Sequence, residues 1–396
     1  MDLFNNTQIL SQTGKQRPHF PEKSRKWWLS FAFTVALAAI VASLYFWRGK
    51  SVTGAATLND PVLTQKPNSA VTSAPKKTVK TPMALPLSFT YPTANHNLAQ
   101  TNNPNVYMTT GTGKLESGLY GLVRTSSRGT PSFHEGIDIA PMSRDRKGNP
   151  TDKVAAVADG RIAYINAVAG NSNYGIYIVI THVEPIGEFY TLYAHLSAIE
   201  PEIKIGDNVA RGTVIATMGH TPAHIIPKAR GHLHFEIGMV LNSNFAAWYR
   251  AQDIKPDHGA YHGHNLAGFN PIALFTRWDD NHVFSLREHF KAMPVVFTVM
   301  LSAEKPIDFF KRYPALWHGR EMVPGKIVLG IGDGGVPISG RMATQDEIDS
   351  IGSTAAPIVQ YVDVQSEEGA KRLLTQINNK WSLSQQGEKL LEILIY

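Results

Sequence analysis

The 396-residue chain contains no cysteine. That excludes disulfides and every zinc site built on thiolates, so a metal here has to be held by histidine or carboxylate. Charge is sparse as well: Asp, Glu, Lys and Arg make up 18% of the residues and leave a net +6 with histidine neutral. An excess this small, spread along the chain, permits contact with anionic surfaces but specifies none, and no nucleic-acid partner is expected. Long runs that are both uncharged and continuously apolar are also rare, with one exception near the N-terminus. Against these absences stands a hydrophobic content of 43%, enough for two ordinary domains with extra segments and too high for a disordered chain.

The exception is WWLSFAFTVALAAIVASLYFW, Trp27 to Trp47, which runs 21 residues without a charge and carries aromatics at both ends. Its length and aromatic belt predict a transmembrane helix. Lys15, Arg17, Lys23, Arg25 and Lys26 precede it, against Arg48 and Lys50 just after. Residues 1–26 are therefore expected in the cytoplasm and everything after Lys50 outside it. A cleavable signal peptide is the competing reading, but its apolar core would run about 7–15 residues and end at a small-residue site. This run is longer and ends in bulky LYFW, so the expectation is an uncleaved, single-pass anchor in the inner membrane. Residues 48–86, rich in Pro, Ser, Thr, Ala and Lys, have too few large apolar residues for a core and read as an extended tether.

From 87 to 277 the texture changes to short alternating apolar runs broken by Gly, Asn and Pro, such as KVAAVADGRIAYI, YGIYIVITHV, FYTLYAHLS and GHLHFEIGM. Many short strands with closely spaced turns predict a mainly β domain. Within GHLHFEIGM, period-two geometry puts His232, His234 and Glu236 on one strand face and Leu233, Phe235 and Ile237 on the other, which looks like core. A His-x-His face standing alone is most simply solvated. In SFHEGIDIAPM, His134 and Asp138 are four apart, about 13 Å on a straight strand, so the chain has to bend before both can reach one ion, and Gly136 permits that. YTLYAHLSAI adds His195 to an otherwise apolar strand, where a single histidine is more often packed than functional.

Taken together, the three fragments resemble, in order and wording, the signature of the lysostaphin-type (LytM-like) zinc endopeptidases, which cut peptide bridges in bacterial peptidoglycan. The resemblance covers roughly Gly118 to Gly238: His134 and Asp138 in FHEGIDIA, preceded by SGLYGLVR with one extra residue before Arg124, then Tyr193, His195 and Leu196, then HLHFE. It implies a mainly β, antiparallel-sheet peptidase domain in which His134, Asp138 and His234 hold zinc while His195 and His232 line the cleft as the catalytic pair. Two imidazoles and one carboxylate leave a tetrahedral zinc one open position for water, as catalytic sites do. His232 and His195 would then share the proton work and oxyanion stabilisation, in an order the sequence leaves open. Glu236 either orients a ligand from behind or faces solvent.

The chain also departs from that pattern. GHTPAHIIPKARGHLHFE puts a longer apolar and basic loop, residues 219–231 with His220 and His224, where the family has a short Gly- and Ser-rich turn, and this loop is expected to border the cleft. PMSRDRKGNPTDK is a polar insertion, read as a surface loop. PDHGAYHGHNLAGFNP brings His258, His262 and His264 together, either as a solvated loop or as a second metal site. Residues 278–396 read as a small accessory α/β domain that binds the wall or a protein partner, or restrains the peptidase. PVVFTVML and KIVLGI are its expected buried strands, and SEEGAKRLLTQINNKW is its expected helix, with Leu373, Leu374, Ile377 and Trp381 at helical spacing. GIGDGG after a strand reads as a turn, since no Gly-Lys-Ser/Thr follows. The expected whole is a membrane-anchored zinc metallopeptidase acting on peptidoglycan outside the cytoplasm. The alternatives are a non-catalytic scaffold that activates another wall hydrolase and a zinc peptidase with a protein substrate.

Overall fold

Alternating burial along the central strands builds one sheet with two different faces. In β6 (Ile176–Glu184), Ile178 and Ile180 enter the main core while Tyr177 and Val179 join a smaller aromatic cluster on the opposite face. β7 (Gly187–Ile199) repeats the pattern, with Phe189 and Tyr193 in the main core and Tyr190, Leu192 and Ala194 opposite. Period-two side chains on a sheet covered on both sides produce this arrangement.

The computed structural model describes residues 88–396 except 111–112, 126–130, 255–257, 282–284, 352–353, 355 and 364–371. The expected anchor and tether lie outside the described residues. Among the described residues, no helix is long and apolar enough to cross a membrane. The first strands among the described residues, β1 (Val123–Thr125) and β2 (Pro131–Phe133), pair as a ribbon. The main sheet then takes β3 (Ile137–Ile139), β4 (Lys153–Ala155), β5 (Gly160–Asn166), β6, β7, β8 (Asn208–Val209), β9 (Val214–Met218), β10 (Leu233–Val240) and β11 (Leu266–Phe269). Its central path runs β11-β10-β7-β6-β5-β8, with β3 also on β10 and β9 linking β4 to β7. All these pairs are antiparallel. The mainly β, antiparallel reading of this region is borne out.

The C-terminal stretch builds a second sheet in the order β13-β15-β14-β12-β16, from β12 (Phe297–Ala303), β13 (Trp317–His318), β14 (Gly325–Ile331), β15 (Pro337–Met342) and β16 (Ile358–Val362). PVVFTVML and KIVLGI are indeed strands, β12 and β14, paired along seven residues. GIGDGG is a turn whose Gly334 has φ +69°, and a Cβ there would stand 2.4 Å from the Gly268 carbonyl oxygen, so only glycine fits against the main sheet. The helix expected around Leu373–Trp381 is not formed. Leu374–Ile377 and Lys380–Leu383 are instead β17 and β18 of a hairpin. Asn378 and Asn379, both at positive φ, make the two-residue turn that suits such a hairpin, a signal that outweighs the helical spacing of the leucines.

Both sheets share one apolar core, which runs from Phe89 through Phe235 and Val299 to Leu394. Polar bonds tie them as well: Arg312 Nη2 donates to the Val240 and Leu241 carbonyls at 2.8 and 3.0 Å, and Asn242 Nδ2 to that of Ile393 at 2.7 Å.

Candidate metal centre

β10 is paired with β3 on one side and β7 on the other, and the register sets His234 opposite both Asp138 and Ala194. Directly opposed residues on one sheet face bring their side chains together. His234 Nδ1 lies 2.9 Å from Asp138 Oδ1. His134, just before β3, reaches the same point after the bend, with Nε2 2.9 Å from Asp138 Oδ1 and 3.2 Å from His234 Nδ1. Gly136 serves less as a hinge than as a close approach: a Cβ there would sit 2.3 Å from the Phe235 carbonyl oxygen.

The second ring nitrogens determine what the first can do. His134 Nδ1 is 2.6 Å from the Leu119 carbonyl, a pure acceptor, so that nitrogen carries the proton and Nε2 turns a lone pair inward. His234 Nε2 faces Glu236 Oε1 at 2.9 Å. Glu236 is fully buried and its oxygens also accept from Tyr174 Oη at 2.7 Å and Tyr190 Oη at 2.8 Å. The carboxylate therefore backs the ligand rather than facing solvent. Burial alone would raise its pKa, but the His234 imidazole and the two phenols outweigh that and lower it.

Three donor atoms thus converge among buried side chains, each from a different residue. Without a cation their lone pairs repel one another and the Asp138 charge. Burial works against charge on His234, yet Asp138 on one nitrogen and Glu236 on the other push its pKa up to about 10, so the site takes up positive charge in one form or another. Burial likewise raises the Asp138 carboxyl, and the facing His134 and His232 imidazoles more than reverse this, holding it well below the usual carboxylate range. Two ligand atoms about 2.1 Å from a tetrahedral zinc stand about 3.4 Å apart, close to the observed separations. His134, Asp138 and His234 accordingly fit a zinc ion with one position open.

The other two expected residues flank this centre. His232 Nε2 is 3.4 Å from Asp138 Oδ1, and its Nδ1 is held by the Arg230 carbonyl at 2.7 Å. His195 stands in edge contact with His232, ring centroids 4.8 Å apart, with Nδ1 held by the Thr221 carbonyl at 2.8 Å. A bulge brings it there. Three steps along β7, Leu196 to Tyr193, pair with two along β6, Ile176 to Ile178, and His195 takes φ +62°. The extra residue turns His195 away from the core face that Tyr193 and Leu196 occupy. Burial first, and then the His232 and His234 imidazoles, hold its pKa well below the ordinary histidine value, so His195 is neutral.

All five residues line one cleft of about 290 Å³, with Glu135, Asn173 and Tyr174 around it and Ile225, Ile226 and Arg230 of the 219–231 loop on one wall. The loop borders the site as expected. Sequence reading did not single out Tyr174, Tyr190 or the Leu119 carbonyl. Tyr190 was legible in principle, since it falls on the face of β7 opposite Phe189, whereas a backbone carbonyl leaves no trace in residue type. The His258 cluster reads differently from a metal site. His258 already uses both ring nitrogens, on Tyr164 Oη and the Asn171 carbonyl, each at 3.0 Å. Among the described residues, His134, Asp138 and His234 are the group able to hold an ion.

Residues 132–245 match the family model for Peptidase family M23. No curated protein matches the chain. Among solved structures, a zinc-containing peptidase from Vibrio cholerae is 24% identical over 38% of this chain and 37% of its own, with a TM-score of 0.26. The catalytic domain of lysostaphin from Staphylococcus simulans is 21% identical over 40% of this chain and 89% of its own, TM-score 0.26. LytU is 29% identical over 30% and 69%, TM-score 0.23. The chain spans 37% of the first of these and 30% of Helicobacter pylori Csd3.

Proposed function

Because residues 132–245 form a Peptidase family M23 domain, we propose that the protein is a zinc metalloendopeptidase that hydrolyses the peptide cross-bridges of peptidoglycan. The carrying observation is the complete donor set, His134 Nε2, Asp138 Oδ1 and His234 Nδ1, within one cleft with two further histidines whose outer nitrogens are tied back to carbonyls. A scaffold that had lost catalysis would be expected to lack ligands, and here every position is filled.

When bound, zinc supplies Lewis acidity toward the scissile carbonyl and brings the pKa of a water molecule to about 7. The protein does the rest. With Nδ1 committed to the Thr221 carbonyl and the ring neutral, His195 presents the Nε2 lone pair and accepts the proton that water gives up. His232, in edge contact with His195 and with Nδ1 committed to the Arg230 carbonyl, takes that proton up at Nε2 and passes it to the leaving amine. Glu236, Tyr174 and Tyr190 keep His234 in place, so ligand geometry does not drift as charge moves. Ile225 and Ile226 give the cleft an apolar wall against which a peptide packs and displaces water.

The same reading has the Trp27–Trp47 segment as a membrane anchor and residues 48–86 as the tether that lets the domain reach the wall. Its support is the uncharged length and the basic residues before it. The decisive experiment incubates the full-length protein with purified peptidoglycan, with and without chelator and zinc add-back, and identifies the new termini. Zinc-dependent appearance of a new amino terminus within the cross-bridge is expected. Intact cross-bridges in the zinc-loaded sample would sink the proposal.

A further inference from the structure

One loop orients both flanking histidines, since Thr221 O holds His195 and Arg230 O holds His232. The part of it that carries Arg230 is a single 3-10 turn, Lys228–Arg230, with no buried residue of its own to fix it. What fixes it comes from the other insertion. Arg144 Nη1 donates to the Gly148 and Lys228 carbonyls at 3.0 and 2.9 Å, and Nη2 to the Ala229 and Gly231 carbonyls at 3.2 Å each. Of the four successive carbonyls 228–231, three accept from Arg144 and the fourth, Arg230 O, accepts from His232. The arginine is itself set by its loop, whose base is closed by Asp152 accepting from the Met142 and Ser143 amides at 2.8 and 3.1 Å. The two insertions also touch, because a Cβ on Gly231 would stand 2.6 Å from Pro150 Cγ.

We propose that Arg144 is a positioning residue for this peptidase: its guanidinium locks the 228–231 turn so that Arg230 O holds His232 with Nε2 turned to the metal centre. The proposal rests on the metallopeptidase reading. A planar fork with five donors suits adjacent carbonyls in a way that a point charge does not. A merely solvated surface arginine would touch one or two carbonyls of its own loop. Arg144 instead spends three of its four bonds on a turn 84 to 87 residues away.

The test uses the full-length, zinc-loaded protein with Arg144→Ala and Arg144→Lys. In Arg144→Ala, zinc content should equal that of the wild type and amide exchange across 228–232 should speed up. Long-range 1H–15N spectra should show the His232 tautomer no longer fixed by the Arg230 carbonyl. On peptidoglycan fragments kcat should fall about 10- to 100-fold with KM unchanged, since a misoriented proton donor costs turnover rather than binding. Arg144→Lys should recover part of each. Unchanged exchange and an unchanged His232 tautomer in Arg144→Ala overturn the proposal, and so does a loosened turn with kcat intact. If the wild type itself cleaves nothing, the metallopeptidase reading fails, while exchange and tautomer still decide the role of Arg144.

Discussion

Asp138 and His234 sit directly across from each other in the β3–β10 pair, and that opposition brings their side chains to 2.9 Å. A strand pair is hard to slip, because a one-residue shift would turn Leu233, Phe235 and Ile237 out of the core. The same burial that stabilises the sheet therefore holds two of the metal ligands together.

His134→Ala, Asp138→Ala and His234→Ala should each lower zinc from about one ion per chain, because each removes one of only three protein ligands. His232→Ala should keep the metal and lose about 10²–10⁴ in turnover. Metal analysis beside initial rates separates the two classes, and full zinc retention in the first three would refute the ligand set.

Glu236→Gln should weaken zinc about 10- to 100-fold while the protein stays folded, as removal of an outer partner of a ligating histidine does. Competition with a chromophoric chelator measures this. Affinity equal to the wild type would mean that the carboxylate only fills space between Tyr174 and Tyr190.

Zinc binding should release a proton at neutral pH. In the metal-free protein the His234 pKa is raised to about 10, so its protonated form stabilises the fold fully below the unfolded value of about 6.5, and that contribution fades as pH rises through about 10. Zinc has to displace that proton, so its affinity should climb with pH between those limits. Calorimetry in buffers of different ionisation enthalpy reads the release directly, and a pH-independent affinity would contradict it.

Gly136→Ala should destabilise the protein by about 1–3 kcal/mol and weaken zinc with it, since the added carbon meets backbone that cannot move without separating β3 from β10. Denaturant unfolding with and without zinc checks both effects.

A reporter active only outside the cytoplasm, fused after Tyr396, should work, and the protein should stay with membranes through a high-salt wash. A shortened soluble form beginning after Trp47 would replace the anchor with a cleaved signal.

Residue type and short-range spacing by themselves determined that this region is mainly β and that a metal would need histidine and carboxylate, while the choice of His134, Asp138 and His234 among the donors came from the resemblance of three motifs in order to the lysostaphin-type endopeptidases. Those features are local: alternation follows from the two-residue repeat of a strand, and donor chemistry from the side chain alone. Tertiary structure decided the rest. His195 looks like an ordinary strand histidine until a bulge, set by pairing with β6, turns it out of the core. Glu236 reads equally well as wet or buried until Tyr174 and Tyr190 arrive from 62 and 46 residues away. Leu373, Leu374 and Ile377 satisfy helical spacing, yet the Asn378–Asn379 turn and the burial of Leu373 and Leu374 in the shared core leave Leu374–Ile377 a strand of a hairpin, with Ile377 exposed. In each case a contact distant in sequence outweighs a local preference worth a few tenths to about 1 kcal/mol per residue, because packing and pairing act on several residues at once.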